Sequence, residues 1–336
     1  MPAFSLSAAQ YVAQPTASFK DFGAYLKQSL NDPFVLNLRE SSLMEVIAAC
    51  INAKSRLHPN YASSIGCLVN NLTLLEKEYS IKLKPVQITD IFWGYFISFC
   101  QGRGLRMSTI ETLCNQLRSI LNWATKYNAM VSPTYADMKV SRTRNFKIAL
   151  SADEISRIDY FDIDRFYADK RVDFRRKMER VRDMFVLQTS LFQRHSDAVR
   201  INKSCFNRNI FRITQQKTGN VAIVDIDKYA IDAKTTYRIL EKYNYEAPYK
   251  ASIGNYNSNI HILMRDIGFD DLVRIEEKIG DKMVVREVPK WQLISSHTCR
   301  RSAITINVLR GHNVHDLKRC SGHVDLRVFD SYVRDE

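Results

Sequence analysis

Apolar side chains recur at helical spacing through much of the first 125 residues. Leu43, Val46, Ile47, Cys50 and Ile51 form one stripe, and Ile65, Leu68, Val69, Leu72 and Leu75 form a second, which predicts helices between residues 42 and 79. A third helix is expected over 90–101, closed by Gly102 and Gly104. A fourth is expected to start at Ser108, which has Glu111 at capping-box spacing, and to carry Ile110, Leu113, Leu117, Ile120, Leu121 and Ala124. Residues 1–40 are weakly patterned, with one helix expected at 19–30. The N-terminal part reads as an all-helical bundle.

The period breaks between 132 and 150. Here Pro133 is followed by Lys139, Arg142, Arg144 and Lys147, with only Asp137 against them. The stretch is either a solvated linker or a basic strap along phosphates. A capping box at Ser151 and Glu154 opens the next element, which places a domain boundary near 146–150. Beyond it, a helix is expected over 181–191 and strands over 210–213 and 221–226, joined by a Lys217-Thr218-Gly219-Asn220 turn. Helices at 235–243 and 257–267, a strand at 282–288 and helices from 299 onward complete the pattern. The expected class is α+β, mainly helical: a helical domain over 41–145, a mixed domain over 146–336, and a segment of unclear role over 1–40.

Composition narrows the partner. Of 336 residues, 49 are Lys or Arg and 36 are Asp or Glu, a net charge of +13. Such a field suits a polyanion, and nucleic acid fits better than a membrane, because no long amphipathic basic helix or lipidation signal is present. Residues 1–149 hold 16 basic and 9 acidic side chains, net +7, against +6 for the remainder. Both parts are basic, as two domains clamping a duplex would be. The longest strongly apolar stretch, 91–100, is too short to span a bilayer, and the first Lys is Lys20, so a secretory leader is not expected. Seven Cys without a CxxC pair predict reduced thiols in a cytoplasm.

Chemistry on DNA needs either carboxylate-held metal ions or a covalent nucleophile beside cations. The metal route has poor material: the Asp-rich stretch 158–173 is interleaved with Arg and Lys, and the zinc-like spacings His312/His315 and Cys320/His323 are isolated. The covalent route has more. His297 and Arg300 lie three apart in Ser296-His297-Thr298-Cys299-Arg300-Arg301-Ser302, on one helical face. Arg194-His195-Ser196-Asp197 is expected at the end of an apolar helix, Lys217 in a hairpin turn, and Cys320-Ser321-Gly322-His323 precedes Tyr332. Taken singly, each has a plain explanation: a helix-capping Arg, a solvated Lys, a core His, a packing Tyr.

Taken in order, the set resembles the tyrosine recombinase (phage integrase) family, whose signature runs Arg, Lys, His-x-x-Arg, His or Trp, and Tyr. Arg194 with Asp197, Lys217, His297 with Arg300, His323 after Ser321-Gly322, and Tyr332 nine residues later match that order. The wording around His297 also resembles integrases of mobile elements from the Bacteroides group. The resemblance implies a helical core-binding (SAM-like) domain followed by a mixed α/β catalytic domain. It departs at Phe192, where the family usually has glycine; a bulky residue at a tight turn is expected to shift Arg194. Only four residues follow Tyr332, where many relatives continue with a helix that docks on a neighbouring subunit. Either that contact is made otherwise or the sequence stops short of it.

The resemblance implies a site-specific recombinase that integrates, excises or inverts DNA through a 3′-phosphotyrosine on Tyr332. It would act as a homotetramer on synapsed inverted-repeat core sites, in a bacterial, nucleoid-associated cytoplasmic setting. Arg194 and Arg300 suit the non-bridging phosphate oxygens, His297 suits a base or hydrogen-bond partner for the phenol, Lys217 the 5′ leaving oxygen, and His323 a hydrogen bond to phosphate. No metal or nucleotide cofactor is required. The competing expectations are a catalytically inactive DNA-binding protein of the same fold and a type IB topoisomerase-like enzyme.

Overall fold

Ser42 opens the first helix. Its hydroxyl accepts from the Glu45 amide, and the Glu45 carboxylate accepts from the Ser42 amide at 2.8 Å. In the computed structural model, which describes residues 38, 40–137, 147–279 and 282–323, this helix is α1 (Leu43–Ser55). The chain divides into two units, 1–145 with 277–284 and 146–276 with 285–336.

The first unit continues with α2 (Tyr61–Glu78), α3 (Asp90–Gly102) and α4 (Met107–Thr125). The apolar stripes face inward: Leu43, Val46, Leu68, Leu72, Phe96, Ile110, Leu117 and Leu121 share one core. Trp93 lies at the same core and donates its indole N–H to the Tyr135 carbonyl at 3.2 Å. The capping box expected at Ser108 does not form. Helix α4 begins one residue earlier, after Arg106, with no side-chain cap. Met107 is itself buried, so the helix starts where core contact starts rather than at the hydroxyl. The helix expected at 19–30 and most of the basic strap, 138–146, lie outside the described residues.

In the second unit, Ser151 and Glu154 form the expected capping box on α5 (Ala152–Asp159). A single turn, α6 (Ile163–Phe166), leads to α7 (Val172–Ser190), which starts nine residues before the apolar run implied. Its first turns are charged and exposed, with Met178 the first fully buried residue, so hydrophobic periodicity cannot see them. Residues 183–190 are buried on every side.

The chain then forms α8 (His195–Ala198), β1 (Phe206–Asn207), β2 (Ile210–Thr214) and β3 (Val221–Asp225). The three strands make one antiparallel sheet in the order β1-β2-β3, with Phe211 opposite Val224 and Ile213 opposite Ala222. Next come α9 (Ile226–Tyr229), α10 (Ala233–Lys242) and α11 (Ile253–Ile267). Strands β4 (Leu272–Ile279) and β5 (Lys282–Pro289) pair as a second sheet. Sequence patterning anticipated only β5, because Arg274, Glu276 and Glu277 break the apolar run of β4. Helices α12 (Ser296–Leu309) and α13 (Val314–Ser321) end the described chain.

Helix α7 is the axis of this unit; α5, α10, α11 and α12 pack around it. Its buried Asp183 ties it to α10 and the residue after it, accepting from Lys242 at 2.7 Å and Tyr243 at 2.9 Å, as well as from Arg182 at 2.8 Å. The class is α+β and mainly helical, as the sequence predicts. Among the described residues no helix is long and apolar enough to cross a membrane.

Candidate active site

The site starts from the end of α7. The Gln193 amide donates to the Gln188 carbonyl at 3.2 Å and the Phe192 amide to the Thr189 carbonyl at 3.1 Å, the paired bonds of a Schellman turn. Phe192 occupies the position usually given to glycine, at φ +60°, with its side chain fully buried in the core. A left-handed non-glycine residue costs about 1–2 kcal/mol. Burying a phenyl ring returns about 1.5–3 kcal/mol, so the turn survives the substitution. It aims the Phe192 carbonyl at Arg300, whose Nη1 donates to it at 3.2 Å.

Arg194 does not cap the carbonyls of the apolar helix. It follows the turn as the N-terminal cap residue of α8, and its Nη1 donates to Gln215 Oε1 at 2.7 Å. A second polar buttress holds the start of α12. Gln188 Nε2 donates to the Gln193 carbonyl at 3.0 Å and the Ser296 carbonyl at 2.9 Å, and the Ser296 amide donates to Asn257 Oδ1 at 2.9 Å. His297 and Arg300 are thereby fixed on one face of the first turn of α12, with Arg300 fully buried.

The β2–β3 turn brings Lys217, exposed at its tip, while its base is closed by Gln215. Asp197 is buried and accepts from the Gln216 amide at 2.8 Å, which ties α8 to the same turn. At the other side, α13 ends at Gly322 with φ +64°. A β-carbon there would lie 2.6 Å from the Gln215 side chain, so any other residue is strained by the backbone and must displace the Gln215 carboxamide. His323 follows. Ser321 Oγ lies 2.8 Å from its Nδ1, and Arg300 Nη2 lies 3.1 Å from Nδ1 and 3.0 Å from Nε2. Arginine can only donate, so the ring nitrogen that meets it is unprotonated.

Charge converges on the two imidazoles. His297 is held down to about 4 by burial and by the guanidinium charges of Arg301, Arg300 and Arg194, with Lys147 adding to them. His323 is held down to about 3 by burial, then Arg300 and Arg194. Both rings are therefore neutral at physiological pH, among cationic side chains that make the site electropositive before any anion arrives. An oxyanion entering it meets donors already in place.

Of the six residues singled out in the sequence, Arg194, His297, Arg300 and His323 come together, and Lys217 stands on the hairpin tied to them. Tyr332 lies outside the described residues. Sequence reasoning passed over Gln215 and gave Ser321 and Lys147 no role beside the histidines; the position of Gln215 just past β2 and two residues before Lys217 was the available signal. The zinc-like spacings do not make a centre. Among the described residues no three His, Cys, Asp or Glu side chains cluster. The buried Cys320 thiol is pushed up to about 12, and His323 is already engaged by Arg300 and Ser321.

The fold has solved counterparts. It is similar to the Tn1549 transposon integrase in complex with transposon right end DNA, with a TM-score of 0.60 and 10% identity over 88% of this chain and 96% of that one. It is also similar to a lambda integrase dimer bound to a COC′ core site, at 0.56 and 14% over 81% and 89%. A third match is the XerH site-specific recombinase bound to palindromic difH substrate, at 0.56 and 12% over 90% and 84%. No family model and no curated protein matches the sequence. The likeness is one of fold: the mainly helical chain with small sheets matches the tyrosine recombinase catalytic domain of these structures.

Proposed function

We propose that this protein is a site-specific DNA recombinase that cuts and rejoins strands through a 3′-phosphotyrosine on Tyr332. The observation that carries the reading is the convergence of Arg194 and Arg300 on two imidazoles kept neutral by burial and by the arginine charges. The guanidinium forks bind the non-bridging oxygens of a phosphodiester and remain charged at every relevant pH. The Tyr332 oxygen attacks phosphorus, its proton passing to neutral His297, while the phosphorus–5′-oxygen bond breaks and Lys217 protonates the departing 5′ oxygen. His297 is a weak base in the free protein; the negative charge of a bound phosphate offsets the cations and raises its basicity. His323 holds Arg300, and through it the phosphate. The bond energy stays in the phosphotyrosine, so another strand's 5′ hydroxyl can reverse the step.

The substrate in this reading is double-stranded DNA with inverted-repeat core sites, bound by a homotetramer during integration, excision or inversion of a mobile element. Resemblance of the His297 segment to integrases from the Bacteroides group points to that kind of element. The lambda, Tn1549 and XerH structures were all solved with DNA, which supports the partner.

The test is a nicked duplex carrying the terminal repeat of the element that encodes the protein, mixed with wild type and Tyr332→Phe. A covalent protein–DNA band in the wild type alone is expected. DNA binding without an adduct overturns the reading in favour of a binding-only protein. Relaxation of supercoiled plasmid lacking the repeat favours the topoisomerase-like alternative.

A further inference from the structure

Gln215 carries no charge and no titratable proton, yet its carboxamide meets the Arg194, Lys217 and His323 segments of the site. It is 1% exposed. Oε1 accepts from Arg194 Nη1 at 2.7 Å and from Thr218 Oγ1 at 3.1 Å, and Nε2 donates to the Ser321 carbonyl at 2.7 Å. Its main chain closes the turn that bears Lys217: the amide donates to the Asn220 carbonyl at 2.8 Å, and the carbonyl accepts from Gly219 at 2.9 Å. Beyond these bonds, its side chain occupies the space that a β-carbon on Gly322 would need, which locks the approach of the Gly322–His323 segment.

A buried glutamine that serves packing alone needs only two partners of any kind. Here the partners belong to three segments far apart in sequence, carrying Arg194, Lys217 and His323. We propose that Gln215 is the positioning residue that holds these three in one register around the scissile phosphate. The proposal rests on the recombinase reading above. Oε1 takes one edge of the Arg194 guanidinium, so the remaining donors of the fork are turned to the phosphate. Nε2 anchors the carbonyl next to Gly322, so a shift of the hairpin moves Arg194, Lys217 and His323 together rather than one at a time.

Only glutamine meets both demands at this length. Glutamate in its place brings a carboxylate that competes with phosphate for Arg194 and faces the Ser321 carbonyl without a proton to give. Methionine keeps the volume and loses every side-chain bond.

The experiment is single-turnover formation of the covalent adduct on the nicked terminal-repeat duplex at saturating protein, with DNA affinity and thermal unfolding measured separately. Gln215→Met is expected to slow adduct formation by about tenfold or more, the worth of a charge-assisted hydrogen bond, with DNA affinity unchanged. Gln215→Glu is expected to be slower still. The readout that a packing role does not move is coupling to Arg194. In the Arg194→Lys background the fork is gone, so adding Gln215→Met is expected to cost far less than it does in wild type. Full additivity of the two changes, or an undiminished rate in Gln215→Met, overturns the proposal. If Gln215→Met fails to fold, Thr218→Val, an exposed change that removes one bond to Oε1, carries the test in the same direction with a smaller slowing; an unaltered rate then overturns it. Absence of an adduct in wild type overturns the recombinase reading itself, a result distinct from a wild-type adduct with unaffected variants.

Discussion

The Arg300 guanidinium, buried at the centre of the site, donates to the carbonyl of Phe192 at 3.2 Å, and it does so because Phe192 sits in a left-handed turn. The residue that departs from the usual glycine therefore shapes the site rather than abolishing it. Its ring is committed to the core and its backbone to the arginine.

This double commitment separates two substitutions. Phe192→Ala loses the buried ring, a change that costs about 3–5 kcal/mol in cores, and keeps the strained φ. Phe192→Gly loses the same ring but recovers about 1 kcal/mol from the left-handed backbone. Denaturant unfolding is expected to rank wild type above Phe192→Gly above Phe192→Ala. An alanine variant more stable than the glycine variant contradicts the turn.

Gly322 and Gln215 share one space. Gly322→Ala is expected to destabilise the protein by more than the about 1–2 kcal/mol of its left-handed backbone alone, because its β-carbon meets the Gln215 side chain at 2.6 Å. Shortening Gln215 to Ala opens that space. The double variant is expected to be more stable than the sum of the single losses requires, as read from unfolding midpoints. Strict additivity shows that the contact relaxes at no cost.

The two histidines make stability depend on pH in a defined direction. Their ordinary value is 6.5, whereas the folded protein holds His297 to about 4 and His323 to about 3. Below about pH 6.5 the unfolded chain takes up protons that the folded protein refuses, so stability is full above that value. It falls as pH drops towards 4 and, for His323, towards 3. Thermal unfolding between pH 7 and 4.5 is expected to show this loss, and His297→Gln with His323→Gln to flatten it. An unchanged slope in that double variant shows that the rings are not held neutral. Bound DNA is expected to raise both values, visible as a shift of the imidazole resonances.

Binding is expected to weaken steeply with salt, since the chain carries a net charge of +13 spread over both parts of the sequence. A plot of log affinity against log salt with a slope shallower than about −3 is incompatible with extensive phosphate contact.

Much of this protein was legible from residue order. Helical stripes such as Leu43–Val46–Ile47–Cys50, the Ser151 end, and the β2–β3 hairpin follow from local rules, because a helix face and a tight turn are written within a few neighbouring residues. The positions of His297 and Arg300 on one helix face are of the same kind. Where local signals competed with packing, packing decided: α4 begins at buried Met107 rather than at Ser108, and the charged start of α7 is helical because its later turns are buried.

By itself, the sequence determined the helical class, the basic charge and the residue types available for phosphate chemistry. Tertiary structure alone decided that Phe192 turns left-handed, that Arg300 is buried against its carbonyl, and that the imidazoles are neutral. It also made Gln215, rather than an ionisable residue, the junction of the site. The reason is that these properties arise between segments up to 131 residues apart, from Phe192 to His323, where burial and the sum of nearby charges set the outcome. Neither quantity is carried by any one stretch of the chain.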